Sequence, residues 1–570
     1  MDLNTIIQSA RGETPVDLLL TNARIVNVFS GEIISGHIAV TSGYIVGIGA
    51  YPAKNIIDLG DRFVAPGFID AHVHIESSMM CITEFARAVT PLGTTTVVAD
   101  PHEIANVLGI EGIEYMLRSS ENQPLNIYFT LPSCVPATAM ETSGAQLSAD
   151  HLAPLISHPN ILALAEMMNY PGVIHGNREV LDKIETAKAH RKRVDGHAPG
   201  LTGPDLFAYI ASGVSSDHEC TTAQEAQEKL RAGMHIMIRE GTGAQNLKDL
   251  LPAVNDRTSR RMMWCTDDRH PHDLLEKGHI DGMIREALRQ GLNPVMAIQM
   301  ATINPAEYFG IHHVGAVAPG RFADLVVFSN LDTLFIEQVY LKGILVAEKG
   351  KLLPQIEKSI SLPVPPSMTV NTEQVHFSIP ASAKHIRVIE VIPGQILTRQ
   401  CIREASISKR LAIADTSRDL LKIAVIERHT GSGNMGIGFV KGFGFKQGAI
   451  ASSVAHDSHN IIVVGTTDED MRVAVHAIVK MGGGLSAACD KKIVADLALP
   501  IAGLMSYDPI HDVRNRLDKL LDVTKAFGTP LLDPFMTLSF LALPVIPELK
   551  ITDKGLVDVL QFKIVPLFLD

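Results

Sequence analysis

Between Pro66 and His312, eight short apolar runs alternate with helix-like stretches, and most of the runs close on His, Asp or Glu. The runs are FIDAHVHI, TTTVVAD, NIYFTLP, ILALAEM, KRVDGHA, SSDHE, HIMIREG and MMWCTDD. Segments such as EVLDKIETAKAHR and TAQEAQEKLRAG lie between them, with apolar residues at helical spacing. A short apolar run followed by a helix reads as a strand of a parallel sheet covered on both faces. Eight such units in about 250 residues predict a TIM-like (β/α)8 barrel of the α/β class. In that architecture the polar residues at the C-terminal strand ends form the working face.

The flanks read differently. Val16 to Val64 is a series of short alternating runs (DLLLTNARIVNV, SGHIAVTSGYIVGIG, NIIDLGDRFVAPG), and a similar β block returns as GRFADLVVFSN and QVYLKGILVAEKGKLL. Both read as antiparallel, and together they predict a small discontinuous β-sandwich domain from residues 1–65 and 313–360, wrapped around a barrel spanning 66–312. The proline-rich SLPVPPSMTV at 361–370 predicts a linker. Beyond it, 361–570 predicts a mixed α/β domain, with strands such as HIRVIEVI and IIVVGTT and the helical EDMRVAVHAIVKMGG.

Composition narrows the function classes. Fifty basic against 62 acidic residues give a net charge of −12 across 570 residues, which argues against a nucleic-acid partner. Six cysteines are scattered without a CxxC, so neither a disulfide scaffold nor a zinc ribbon is expected. The N-terminal stretch lacks the pattern of a secretory signal, and no apolar run is long enough to span a bilayer. The expectation is a cytoplasmic protein with no membrane partner, and base rates for soluble enzymes favour a homo-oligomer. Histidine stands out, with 23 copies against nine Tyr and one Trp.

In PGFIDAHVH, His72 and His74 are two apart on a strand, so both side chains face the same way and can share a metal. Glu166, His197, His218 and Asp267 close later runs in order. Each alone has an ordinary explanation as a loop histidine or a helix cap. Together they make a set of four His, one bridging carboxylate and one Asp, suited to two divalent metals such as Mn, Fe or Zn. Glu76, His102, Glu103, Arg239 and Glu240 follow runs one, two and seven, near the expected mouth. Helix capping or surface pairing is an equal reading for any one of them. AHDSHN at 455–460 is a polar knot between apolar strands; Asp457 and His459 either reach the barrel mouth or form a simple polar turn. GSGNMGIG lacks the GK[ST] of a phosphate loop and reads as a hairpin turn, and PCxxC, the mark of the other zinc deaminases, is absent.

The chain resembles the amidohydrolase superfamily, and within it the adenine-deaminating subgroup. The resemblance rests on PGFIDAHVH, HVHIESSMM, VVADPHEIANVLG, SDHE, IREGT and AHDSHN, and it extends over nearly the whole chain. It implies His72 and His74 after strand one, Glu166 bridging after strand four where many members carry a carboxylated lysine, His197 and His218 after strands five and six, and Asp267 after strand eight. The implied reaction is hydrolytic deamination of adenine to hypoxanthine and ammonia in purine salvage, by a hydroxide held between two metals. Asp267 would shuttle the proton, with adjacent Asp268 as the alternative, and Glu240 would be a second catalytic acid. Glu76, His102, Glu103, Arg239, Asp457 and His459 would contact the substrate. A different nucleobase or a cyclic amide remains an open alternative substrate, since a fold and a ligand set do not fix the pocket.

Overall fold

The computed structural model describes residues 3–354 and 362–569. The expected 360/361 domain boundary and Ser361 of the expected linker lie outside the described residues, and 362–370 carries no helix or strand.

All eight runs form strands: β1 (Phe68–His74), β2 (Thr94–Ala99), β3 (Asn126–Leu131), β4 (Ile161–Met167), β5 (Arg193–Gly196), β6 (Ser216–Asp217), β7 (His235–Arg239) and β8 (Met262–Cys265). They pair in parallel and in chain order, as a curled arc from β1 to β5 and a second arc from β6 to β8. A parallel bridge between Val194 and Val214 links the arcs on one side. On the other, Asp267–Asp268 pairs in parallel with Val73 and His74 of β1. Every residue of β1 and β2 is buried, as expected for strands covered on both faces. Gly67 opens β1 where only glycine fits: a Cβ there would sit 2.1 Å from Thr95 Oγ1.

The flanking β blocks, expected as a small sandwich, are joined in one eight-stranded sheet whose edge strand Tyr44–Ile48 returns to bridge Phe322 beside Leu325–Phe328. The joining strand is Ala53–Pro66. It pairs in parallel with Val16–Asn27 and antiparallel with Leu325–Phe328, stitching the two flanks edge to edge. The antiparallel reading of the N-terminal flank therefore fails at that one pairing.

The C-terminal region is mixed α/β, as expected, built on a nine-stranded sheet packed by helices Asp468–Met481 and Ile510–Phe527. Its glycine-rich stretch is a hairpin turn between Leu421–Ile426 and Met435–Lys441, and no helix follows it. The Glu427 carboxylate accepts bonds from the Thr430 and Ser432 backbone and closes that turn. One apolar core runs through both regions: Ile82 and Phe85 belong to the same buried cluster as Leu504, Met505 and Leu517.

Candidate metal centre and active-site cavity

Strand alternation places His72 and His74 on the same side of β1, with their Nε2 atoms 3.1 Å apart. His74 donates its Nδ1–H to the Asp100 carbonyl at 3.0 Å, which fixes the tautomer and leaves a lone pair on Nε2. Glu166, at the end of β4, turns one oxygen to each of two imidazole groups. Its Oε1 lies 3.3 Å from His74 Nε2 and 3.8 Å from His72 Nε2. Its Oε2 lies 2.6 Å from His197 Nδ1 and 3.2 Å from His218 Nε2. Asp267 completes the nest, with Oδ1 3.1 Å from His74 Nε2 and 3.6 Å from His72 Nε2. Asp267 adopts φ 55°, a left-handed conformation uncommon outside glycine, stored where the carboxylate must be aimed.

This donor set fits a divalent cation. Buried imidazole and carboxylate atoms converge in overlapping groups, among them His72–His218–Asp267 and Glu166–His197–His218. Burial alone would raise the Asp267 and Glu166 pKa values. The Arg239 guanidinium and the His72 and His74 contacts hold Asp267 well below the usual carboxylate range, and His197 and His218 do the same for Glu166. Both are anionic and ready to ligate.

Residues 63–352 match the amidohydrolase family, and residues 395–563 match the adenine deaminase C-terminal domain. The chain is 54% identical over 563 residues to an adenine deaminase of Desulfatibacillum aliphaticivorans, covering 99% of both chains. It is 50% identical over 572 residues to an adenine deaminase of Methanothrix thermoacetophila, covering 100% of both. The chain belongs to the adenine deaminase branch of the amidohydrolase family. A solved enamidase structure, 18% identical, covers 58% of this chain and 96% of that one at a TM-score of 0.44. Members of the amidohydrolase family typically use a divalent metal, and the buried His, Asp and Glu groups agree with that.

Above the nest lies a small cavity, and in this amidohydrolase its roof comes from the C-terminal region. His102, Glu103, Arg239 and Asp457 line it. His102 Nδ1 faces Asp100 Oδ2 at 3.3 Å, and its Nε2 is 3.9 Å from Asp457 Oδ1. The 455–460 loop therefore does reach the strand ends. His459 stands behind the lining: its Nε2 is 3.8 Å from Glu103 Oε2, and its Nδ1 accepts the Ala455 N–H. Glu76 is also behind the wall, where its Oε1 accepts the Ile104 N–H at 3.2 Å.

Glu240 is the expectation that the geometry corrects. Alternation along β7 turns Arg239 inward and Glu240 outward, so the Glu240 carboxylate accepts the Leu247 N–H at 2.9 Å and faces a separate surface pocket beside Arg269 and Lys277. Glu219, His456 and Phe540 are among the lining residues that sequence reasoning missed. Glu219 grips Arg239 through both oxygens, at 3.1 Å from Nη2 on one side, and Arg239 in turn reaches Asp267 Oδ2 at 2.8 Å. His456 stacks on Phe540 with ring centroids 4.6 Å apart. Glu219 and His456 lay inside the phrases SDHE and AHDSHN and could have been singled out; Phe540 carried no sequence signal. The Ser77 hydroxyl lies 2.9 Å from Glu103 Oε1 and 2.5 Å from Asp268 Oδ1, holding those two acids to one face of the cavity.

Proposed function

We propose that the protein converts adenine and water to hypoxanthine and ammonia, in purine salvage, at the cavity over the β-strand ends. The observation that carries this reading is Glu166, whose two oxygens face two separate imidazole groups beneath the cavity over the strand ends. The full-length likeness to adenine deaminases supports the substrate. The same split of Glu166 supports two cations, held by His72, His74, Glu166, His197, His218 and Asp267. Mixed imidazole and carboxylate donors suit manganese, iron or zinc. When bound, a divalent cation brings the pKa of a water from about 15.7 toward about 7, which supplies a nucleophile at neutral pH.

The side chains then divide the work. Asp267, kept ionised by Arg239, takes the proton of the attacking water and delivers it to the C6 amino group. The C6–O bond forms, the C6–N bond breaks, and the amino group leaves as ammonia. Burial, with Asp268 and Glu76 close by, pushes the Glu103 carboxyl well above the usual carboxylate range, which favours the protonated form that donates a hydrogen bond to a ring nitrogen. His102 and Asp457 hold the remaining purine edge, while Phe540 and His456 wall off water. Asp268, fixed by Ser77, is the second acceptor on that wall.

We also read the two strand arcs as one (β/α)8 barrel over 66–312, with a β domain from 1–65 and 313–360 and a third domain over 361–570. The bridge at Val194–Val214 and the pairing of Asp267–Asp268 with β1 support closure. Among the described residues no helix is long and apolar enough to cross a membrane. A cytoplasmic homo-oligomer acting on a free base rather than on nucleic acid is consistent with the net charge of −12. The test is ammonia release from adenine, adenosine, guanine and cytosine by protein loaded with Mn²⁺, Fe²⁺ or Zn²⁺. Adenine is expected to be the preferred substrate; no adenine turnover with any of the three metals overturns the assignment.

A further inference from the structure

The catalytic cavity does not stand alone. A second, larger chamber lies beside it, between Thr242–Gly243, the 391–398 segment and the 530–541 segment. The two spaces have Gly243, Ile396 and Phe540 in common. The metal nest is buried, whereas the chamber wall includes Leu397, 44% exposed, and Leu532, 92% exposed. Burial thus rises in one direction: from that apolar rim, past Ile396 and Phe540, to the histidines.

One side chain ties this passage together. Lys550 is fully buried, and its Nζ donates to the Ile396 carbonyl at 2.8 Å and the Phe540 carbonyl at 3.0 Å. Those are two of the three residues common to both spaces. Among the described residues no carboxylate pairs with Lys550, and burial pushes its pKa down to about 7. Even a neutral amine keeps two N–H donors, so both bonds survive deprotonation. Opposite them, Gly243 leaves the passage open. A Cβ at Gly243 would meet Phe540 Cε2 at 3.6 Å and Met536 Cγ at 3.8 Å, ordinary contact that a larger side chain turns into obstruction.

We propose that the purine enters and leaves through this outer chamber, and that Gly243, Ile396 and Phe540 form a portal whose width is set by Lys550 acting through two backbone carbonyls. The occupant class is a flat, uncharged heteroaromatic base, which the apolar rim desolvates before it meets the acids inside. The proposal rests on the catalytic cavity being the purine site. Lys550 is a positioning residue, since it touches neither metal nest nor cavity.

The experiment is stopped-flow binding of 2-aminopurine, a fluorescent base lacking the C6 amino group, to metal-loaded full-length protein. A portal is a barrier common to entry and exit, so narrowing it slows both rates equally and leaves their ratio unchanged. Gly243→Leu is expected to lower the association and dissociation rates together by about tenfold, and Leu397→Trp, at the exposed rim, by about threefold. Lys550→Met is expected to raise both rates together by about threefold, with its melting temperature recorded alongside. Unchanged rates in Gly243→Leu and Leu397→Trp overturn the portal. A changed dissociation constant at unchanged association rate also overturns it, because that marks a direct contact and not a passage. No binding of 2-aminopurine by the unmodified protein overturns the purine as occupant. Failure of the unmodified protein to deaminate adenine counts instead against the proposed reaction.

Discussion

Glu166 and Glu240 are both glutamates at strand ends, and orientation alone separates them. Glu166 faces four histidines, while Glu240 caps a backbone N–H outside the nest. Glu166→Gln keeps the volume and removes the charge, so adenine turnover should fall by at least about a hundredfold, with metal content by elemental analysis falling in step. Glu240→Gln should leave kcat within about twofold and cost about 1 kcal/mol of stability through the weakened bond to Leu247. Loss of activity in Glu240→Gln at normal metal content would restore it as a catalytic acid. His72, His74, Glu166, His197, His218 and Asp267 were legible in the sequence because strand periodicity and the order of strand ends specify them. Glu240 misled because it neighbours Arg239, and a one-residue step on a strand reverses the side chain.

At the scale of elements, two buried polar clusters hold the site in shape. Lys229, on helix Ala223–Arg231, reaches across to Asp217 at 3.0 Å and to Glu225 at 2.7 Å, with all three groups buried. Asp217 precedes His218, so this pair fixes the end of β6. Lys229→Met should leave the Asp217 charge buried without its partner, costing about 3–5 kcal/mol in chemical denaturation. The second cluster joins the loop after β3 to the C-terminal region. Thr142 donates to Asp553 at 2.9 and 2.7 Å, and Asn460 donates to the Thr142 carbonyl at 2.7 Å. Beside them sits Glu141, whose pKa burial pushes up to about 8, against an ordinary 4.5. Across that interval the folded state keeps the Glu141 proton and the unfolded chain does not. The folded state therefore binds more protons, and this contribution to stability declines as pH rises from about 4.5 through about 8. Glu141→Gln removes the decline. Melting curves of the variant should gain on the unmodified protein as pH goes from 5 to 8, and a gap independent of pH would refute the assignment. The phrases around the second cluster gave no hint of it, because its partners lie hundreds of residues apart.

Across the whole molecule, metal, core and roof are coupled. The buried carboxylates and imidazoles of the nest exist as one site only in the folded chain, so cation binding adds directly to stability. Chelation should lower the melting temperature, and Mn²⁺ or Zn²⁺ should restore it in a concentration-dependent way; an unchanged melting temperature at verified metal loss would contradict this. The apolar cluster shared by Ile82, Phe85, Leu504, Met505 and Leu517 further predicts a single calorimetric transition rather than separate unfolding of the C-terminal region. The amino-acid sequence by itself determined the eight alternating strand–helix units, the two β flanks and the candidate metal donors, because each follows from local periodicity and chain order. Only the tertiary structure decided that the flanks share one sheet, that Glu219 and Arg239 support Asp267, and that His456, Asp457 and Phe540 roof the cavity. Those depend on contacts between segments far apart in the chain, where packing and pairing, not local pattern, select the partner.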